Sequence, residues 1–190
     1  MAAALVEAAE QIAETEGAAA VSVRRVADEV GTTTRAVYSV FGSKDALIGA
    51  LGCRGFDWLG SAVAGLPLTD DPVADLVEAG ASAFRRFVVE RPVLFQIGVQ
   101  LTWPEPVRQT IADAANAAWQ HLIVRTDRLA AADLVGLRTS QQAAVEFHAM
   151  CEGLAALETR GLLQVISTER DPATVWRQGL GALVSGFSIV

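Results

Sequence analysis

Between residues 22 and 47 the chain reads SVRRVADEVGTTTRAVYSVFGSKDAL, and nearly every position in that stretch narrows what the backbone can do. Ala27 stands where two short helices would cross and only a small side chain fits. Gly31 follows four residues later, at a turn that needs a residue tolerant of positive φ. Val26, Val30, Val37 and Val40 are spaced to supply apolar contacts that hold two short helices at a steep angle. Ser22 is placed to N-cap a helix over 23–30, Thr33 one over 34–41, and Ser43 one from Lys44 to about 61. The pattern is that of a helix-turn-helix.

Such a module has one common use, which is to lay its second helix in the major groove of DNA with its N-terminal residues on the base edges. Here that end is Thr33, Thr34 and Arg35. An arginine can make a two-pronged contact to guanine O6 and N7, and a threonine methyl packs on a thymine methyl. Tyr38 and Ser39 come one turn later, where hydroxyls meet phosphate. Ser22, with Arg24 close by, opens the preceding helix and Lys44 opens the following one. Helix N-termini are natural phosphate sites, so both positions would clamp the backbone beside the groove. Arg24 and Arg25 cannot both face DNA. The plainer alternative is two short packed helices whose threonines merely cap and whose arginines are solvated surface charges.

Charge bears on that choice. The 190-residue chain has a formal net charge of −7, yet residues 22–44 set Arg24, Arg25, Arg35 and Lys44, its sole lysine, against Asp28 and Glu29. An acidic body with a small basic tip suits a protein that docks on a polyanion by one end. With 52% hydrophobic and 19% charged residues the chain is globular, and its Val, Phe and Trp recur at helical spacing, so the expected class is all-α. Cys53 and Cys151 lie too far apart for a disulfide scaffold or metal finger. The first residues lack the basic-then-apolar pattern of a signal peptide, and no uncharged stretch exceeds 13 residues, too short to span a bilayer. A cytoplasmic protein is expected.

Elsewhere the periodicity and breakers predict helices over 3–16 (stopped by Gly17), 72–90 (Asp71-Pro72 start), 92–101, about 106–126, 140–160 (capped by Thr139 or Ser140) and 172–187. Residues 65–71 read as a linker and 127–138 as a surface connection. That makes about nine helices, with the domain boundary inside the fourth: a helix-turn-helix domain over 1–47 and a larger helical domain over 48–190.

Residues 5–47 resemble the DNA-binding domain of the TetR/AcrR family of bacterial transcriptional regulators. The resemblance rests on Ala8-Ala9, Gly17, Ser22-Val23, Val26-Ala27, Gly31, Val37-Tyr38, Phe41 and Ser43-Lys44-Asp45-Ala46-Leu47. It implies a homodimer, most often a repressor, that binds a pseudo-palindromic double-stranded DNA operator and is released by a small-molecule effector. It also implies a DNA-contact role for Thr33, Thr34, Arg35, Tyr38, Ser39 and Lys44. The sequence departs from the family at Ala13 and Ala18, where aromatics are usual, at Gly42 in place of a proline, and at Ser39-Val40 in place of a histidine pair. No basic arm precedes the first helix, which shifts phosphate binding onto the residues named. Residues 83–99 and 147–163 are similar to one TetR C-terminal subfamily, with Glu152 replacing a common histidine.

In the C-terminal part, Phe84, Phe87, Phe95, Trp103, Trp119, Phe147 and Met150 sit on helices expected to share an interior, with Gln96, His148, Cys151 and Glu152 as polar company. They either line an apolar effector cavity or fill a core, and the spacing alone allows both. The last helix is apolar nearly all round, with one seam at Trp176, Leu180, Leu183 and Phe187 and a small-residue face at Val175, Gly179, Ala182 and Gly186. Together with helix 140–160 it could build a four-helix homodimer interface. The competing reading is a helical small-molecule-binding protein or enzyme without DNA function. Its best constellation is His148, Cys151 and Glu152 on one helix face, but no phosphate loop, nucleophile elbow or second ligand pair accompanies it. No catalytic residue, metal or cofactor is assigned.

Overall fold

The computed structural model describes residues 1–100, 102–169 and 171–188, and among them every regular element is helical. The α-helices are α1 (Ala2–Glu16), α2 (Val23–Val30), α3 (Thr34–Phe41), α4 (Lys44–Ala64), α5 (Pro72–Glu78), α6 (Arg85–Glu90), α7 (Pro92–Phe95), α8 (Val107–Ala131), α9 (Ser140–Thr159), α10 (Leu163–Ile166) and α11 (Pro172–Phe187). A π-turn over Ala79–Phe84 joins α5 to α6 as one rod, and a second over Gln96–Gln100 extends α7. Counting that rod once, the described residues hold ten helices rather than nine, the extra one being the single turn of α10. Leu101, the expected end of the helix after Pro92, lies outside the described residues.

Capping explains where these helices begin. The Ser22, Thr33, Ser43 and Asp71 side chains accept from the main-chain N–H three residues on. Asp171 does the same with two successive N–H groups. Of the two candidates ahead of α9 it is Thr139 that caps, in a reciprocal capping box with Gln142. One helix outruns its expected end. α8 continues to Ala131, so 127–131 are helix and not surface connection. The cause is tertiary: Leu129 is fully buried, and Arg128 is tied to the Asp75 carboxylate.

The chain packs as two compact units, residues 1–58 with 91–117, and residues 59–90 with 118 onward. In the first, α1 buries Leu5, Ala8, Ala9, Ile12 and Ala13 along one face and packs on α2 and α7. The other buried residues of this unit include Val23, Val26 and Ala27 of α2, Val37 of α3, Leu47 and Leu51 of α4, and Leu94 and Phe95 of α7. Burial of these side chains, worth roughly 1.5–3 kcal/mol each for the larger ones, is what holds the short helices in place. Glu10 and Glu14 of α1 both face Arg91, at 3.6 and 2.7 Å.

The second unit is built around the rod of α5 and α6, with α9 and α11 packed against it. Its largest fully buried side chains include Trp176, Phe87, Phe147, Phe187, Leu76, Leu129 and Leu180. Gly80 marks the closest approach: a Cβ there would come within 2.5 Å of a Leu180 methyl, 2.8 Å of the Phe147 ring and 3.1 Å of the Cys151 sulfur. The seam of α11 runs through Trp176, Leu180, Val184 and Phe187, so Val184 takes the place expected for Leu183, which is half-buried. Two polar knots have no signature in the sequence. The buried Arg125 guanidinium donates to the carbonyls of Val63, Leu66 and Asp75 at 2.9, 3.0 and 3.1 Å, closing off the last turn of α4 and the segment after it. Glu158 receives Arg85 in a two-pronged pair and the Trp176 indole N–H at 2.7 Å. No described helix is long and apolar enough to cross a membrane.

Candidate nucleic-acid interface

The first unit presents its polar groups from α2, the turn, α3 and the start of α4. Gly31 closes α2 in the left-handed conformation, φ 70° and ψ 36°, and the two main-chain bonds of a Schellman end form around it, Thr32 N–H to Ala27 carbonyl (2.8 Å) and Gly31 N–H to Asp28 carbonyl (3.2 Å). That termination lets Thr33 begin α3 two residues later. Ala27 is buried as the crossing requires. Of the four valines expected to hold the pair, Val26 and Val37 are buried and Val30 is half-buried, but Val40 is 40% exposed. Val40 lies one turn past Val37, next to the C-terminal end of this eight-residue helix.

With Val37 facing inward, Thr34, Arg35, Tyr38 and Ser39 share the outward face of α3, and all four are exposed. The side chains of Arg35, Tyr38, Ser39 and Lys44 make no hydrogen bond or ion pair to any described residue. Thr33 and Ser22 use their oxygens as caps, which leaves the hydroxyl hydrogens available to an acceptor. The paired arginines of α2 are separated by their partners. Arg25 grips Glu16 with two 2.5 Å hydrogen bonds, which hold the Glu16 carboxyl below its ordinary range and the guanidinium above its own. Arg24 stands 86% exposed with Asp28 only at 4.0 Å. Among the described residues the positive charge of this surface that has no ion-pair partner thus sits on Arg35 and Lys44, with Arg24 held only by its 4.0 Å pair with Asp28.

Two family models match the chain. Bacterial regulatory proteins of the tetR family match over residues 5–51, and the tetracyclin repressor-like C-terminal domain matches over residues 77–183. The chain belongs to the TetR family. It is thereby a TetR-family DNA-binding transcriptional regulator, of a family of regulators and not of enzymes. Solved structures share the fold of this TetR-family chain. A protein of unknown function from Rhodococcus sp. RHA1 is 21% identical with a TM-score of 0.82, covering 98% of this chain and 95% of its own. The TetR family transcriptional regulator PfmR from Thermus thermophilus is 17% identical with a TM-score of 0.66, covering 95% and 96%. RolR in complex with resorcinol is 14% identical with a TM-score of 0.69, covering 99% and 89%. No curated protein matches.

The TetR-family chain divides its candidate effector residues between the units. Phe95 and Trp103 belong to the first; Phe84, Phe87, Trp119, Phe147, His148 and Cys151 belong to the second. Within the second unit His148 meets Phe84 and Trp119 edge to face, with centroids at 5.6 and 5.4 Å, and Trp176 joins Phe84 at 6.2 Å. Helical spacing assigns Trp176 to a packing seam and gives no sign of this second association. Phe87 and Phe147 are wholly enclosed, the latter against Gly80. Cys151 also faces Gly80, and burial, with the Glu152 carboxylate next, pushes its thiol well above the ordinary range. His148 Nε2 lies 3.6 Å from Glu152 Oε1, and that oxygen is buried without a hydrogen-bond partner among the described residues. Burial raises the Glu152 carboxyl and lowers the His148 imidazole, so both lean toward their neutral forms. No group of three metal-ligating side chains occurs among the described residues.

Proposed function

We propose that this protein is a homodimeric, cytoplasmic repressor that reads a pseudo-palindromic operator with two copies of α3 and leaves it when a small, largely apolar molecule binds in the helical domain. The observation that carries the DNA assignment is the outward face of α3, where Thr34, Arg35, Tyr38 and Ser39 are exposed together and Arg35 has no partner among the described residues. In this reading Arg35, Thr33 and Thr34 meet base edges, Tyr38 and Ser39 meet phosphate, and Ser22, Arg24 and Lys44 fasten the flanking backbone. The functional division falls at residues 47 and 48.

Pairing through α9 and α11 is supported by what those helices leave outside. Val145, Ala149 and Gly153 form an exposed stripe on α9, and Ala182 and Ser185 are exposed on α11 beside Gly181, where an added Cβ would meet nothing within 4 Å. Small residues of this kind let two helices approach their copies closely. The effector region is the aromatic group around His148, with Phe84, Trp119 and Trp176 supplying apolar surface and Glu152 Oε1 the polar handle. A similar fold accepts resorcinol in RolR. Binding there would move α4 and alter the spacing of the two α3 helices, so that they no longer match successive major grooves.

An electrophoretic mobility assay on the DNA flanking the protein's own gene tests the reading. Retardation is expected for the parent protein, with strong loss in Arg35→Ala and Lys44→Ala. Binding that survives both substitutions unchanged would remove the site assignment, and no binding to any duplex would favour a helical ligand-binding protein without DNA function.

A further inference from the structure

A cavity lies wholly within the first unit, far in character from the aromatic group. It is a cleft of about 450 Å³, within the range of small-molecule sites. Its walls are apolar or small: Val6 of α1, Gly49 and Ala50 of α4, and Val107 of α8. Phe41, the last residue of α3, lines it as well, and Cys53, Arg54 and Asp57 add polar lining one turn further along α4.

The charges at that polar end do not cancel. Arg54 is ion-paired with Glu10, and Glu10 and Glu14 also face Arg91, so two cations meet two carboxylates. Asp57, exposed in the lining, has no cationic partner among the described residues. Its negative field reaches into the cleft: besides burial, Asp57 and then Asp113 push the Cys53 thiol upward. An apolar cleft with one uncompensated carboxylate selects against anions and favours a hydrophobic body carrying a positive charge.

We infer that this cleft binds a small lipophilic cation, a protonated amine on an aromatic or branched aliphatic body, with its ammonium on Asp57 and its body against Val6, Ala50 and Phe41. Such a ligand touches the end of α3, and the site neither uses nor requires the aromatic group of the other unit.

The test uses the full chain with 2-phenylethylammonium and its neutral counterpart 2-phenylethanol, read by titration calorimetry and by the rate at which iodoacetamide alkylates Cys53 at about pH 8. Peptide mass spectrometry reports Cys53 separately from the buried Cys151. The amine is expected to bind about fivefold more tightly than the alcohol, the advantage of one partly exposed ion pair, and to slow Cys53 alkylation. Asp57→Asn, at an exposed position, should bring amine and alcohol to equal affinity without unfolding the protein. Ala50→Leu should fill the cleft and end protection by both. Equal binding of the two probes by the parent, an amine preference that persists in Asp57→Asn, or binding that leaves Cys53 alkylation unchanged would each overturn the inference.

Discussion

The charge arrangement on α2, α3 and α4 sets the salt dependence of DNA binding. Arg25 is spent on Glu16 through two 2.5 Å bonds, whereas Arg35 and Lys44 are unpaired among the described residues and Arg24 has only the Asp28 carboxylate at 4.0 Å. Arg35 in the groove displaces condensed counterions as Arg24 and Lys44 on the backbone do, so three such cations per protomer make six in a dimer, which predicts a slope of log K against log salt of about −5. Affinity should then fall about a thousandfold between roughly 50 and 200 mM salt. Lys44→Gln removes two phosphate contacts per dimer and should make the slope shallower by about 2 units. Arg25→Gln should leave it unchanged, because that guanidinium already has its counter-charge. The assay is fluorescence anisotropy on a duplex selected from random sequence, repeated over a salt series. A parent slope near about −7, with Arg25→Gln lowering it as much as Lys44→Gln does, would refute the reasoning, since it would mean that the Glu16 pair opens on DNA at no cost.

Other perturbations address the second unit. Arg125→Met deletes three short hydrogen bonds; the Val63 and Asp75 carbonyls keep a main-chain donor, while that of Leu66 is left without one among the described residues, so a loss of about 2–4 kcal/mol is expected. Urea denaturation should register this as a lower midpoint with Arg125→Lys in between, and an equally stable Met variant would refute it. Glu152 has its folded pKa raised by burial, so its penalty is absent below the unfolded carboxylate range, grows as pH rises through the folded pKa, and stays constant above. Glu152→Gln should therefore melt higher than the parent at neutral pH, with the two curves converging toward about pH 4; a lower melting point at neutral pH would contradict the assignment. Gly153→Arg, at an exposed helical position with open space, should yield monomers in analytical ultracentrifugation while preserving the circular dichroism spectrum, and an intact dimer would exclude α9 from the interface.

What can be read from the sequence is whatever local chemistry decides. Ser22, Thr33, Asp71 and Asp171 each cap their helix because the N-cap signal needs only the next few residues, and Gly31 takes the left-handed conformation that the following threonines demand. Features that depend on distant partners are not readable. α8 overruns its expected end because Arg128 finds Asp75, and the buried Arg125 looks in sequence like any arginine on a helix until the carbonyls 50 to 62 residues away are placed around it. The aromatic residues fail as one set for the same reason: helical spacing says that Phe95 and Phe84 are both inward, but not that they face different interiors. At the candidate DNA surface, spacing identifies the exposed face of α3, whereas the choice between Arg24 and Arg25 waits on the position of Glu16.

The crowding at Gly80 has an evolutionary side. Leu180, Phe147 and Cys151 arrive there from two other helices and leave no volume for a methyl group. Any lineage that acquires a larger residue at this position must therefore trim Phe147 or Leu180 in the same interval or lose fold stability. Relatives of this chain should show these sites changing as a linked set, glycine with large partners or alanine with smaller ones, so that the rod of α5 and α6 drifts in sequence only in concert with α9 and α11.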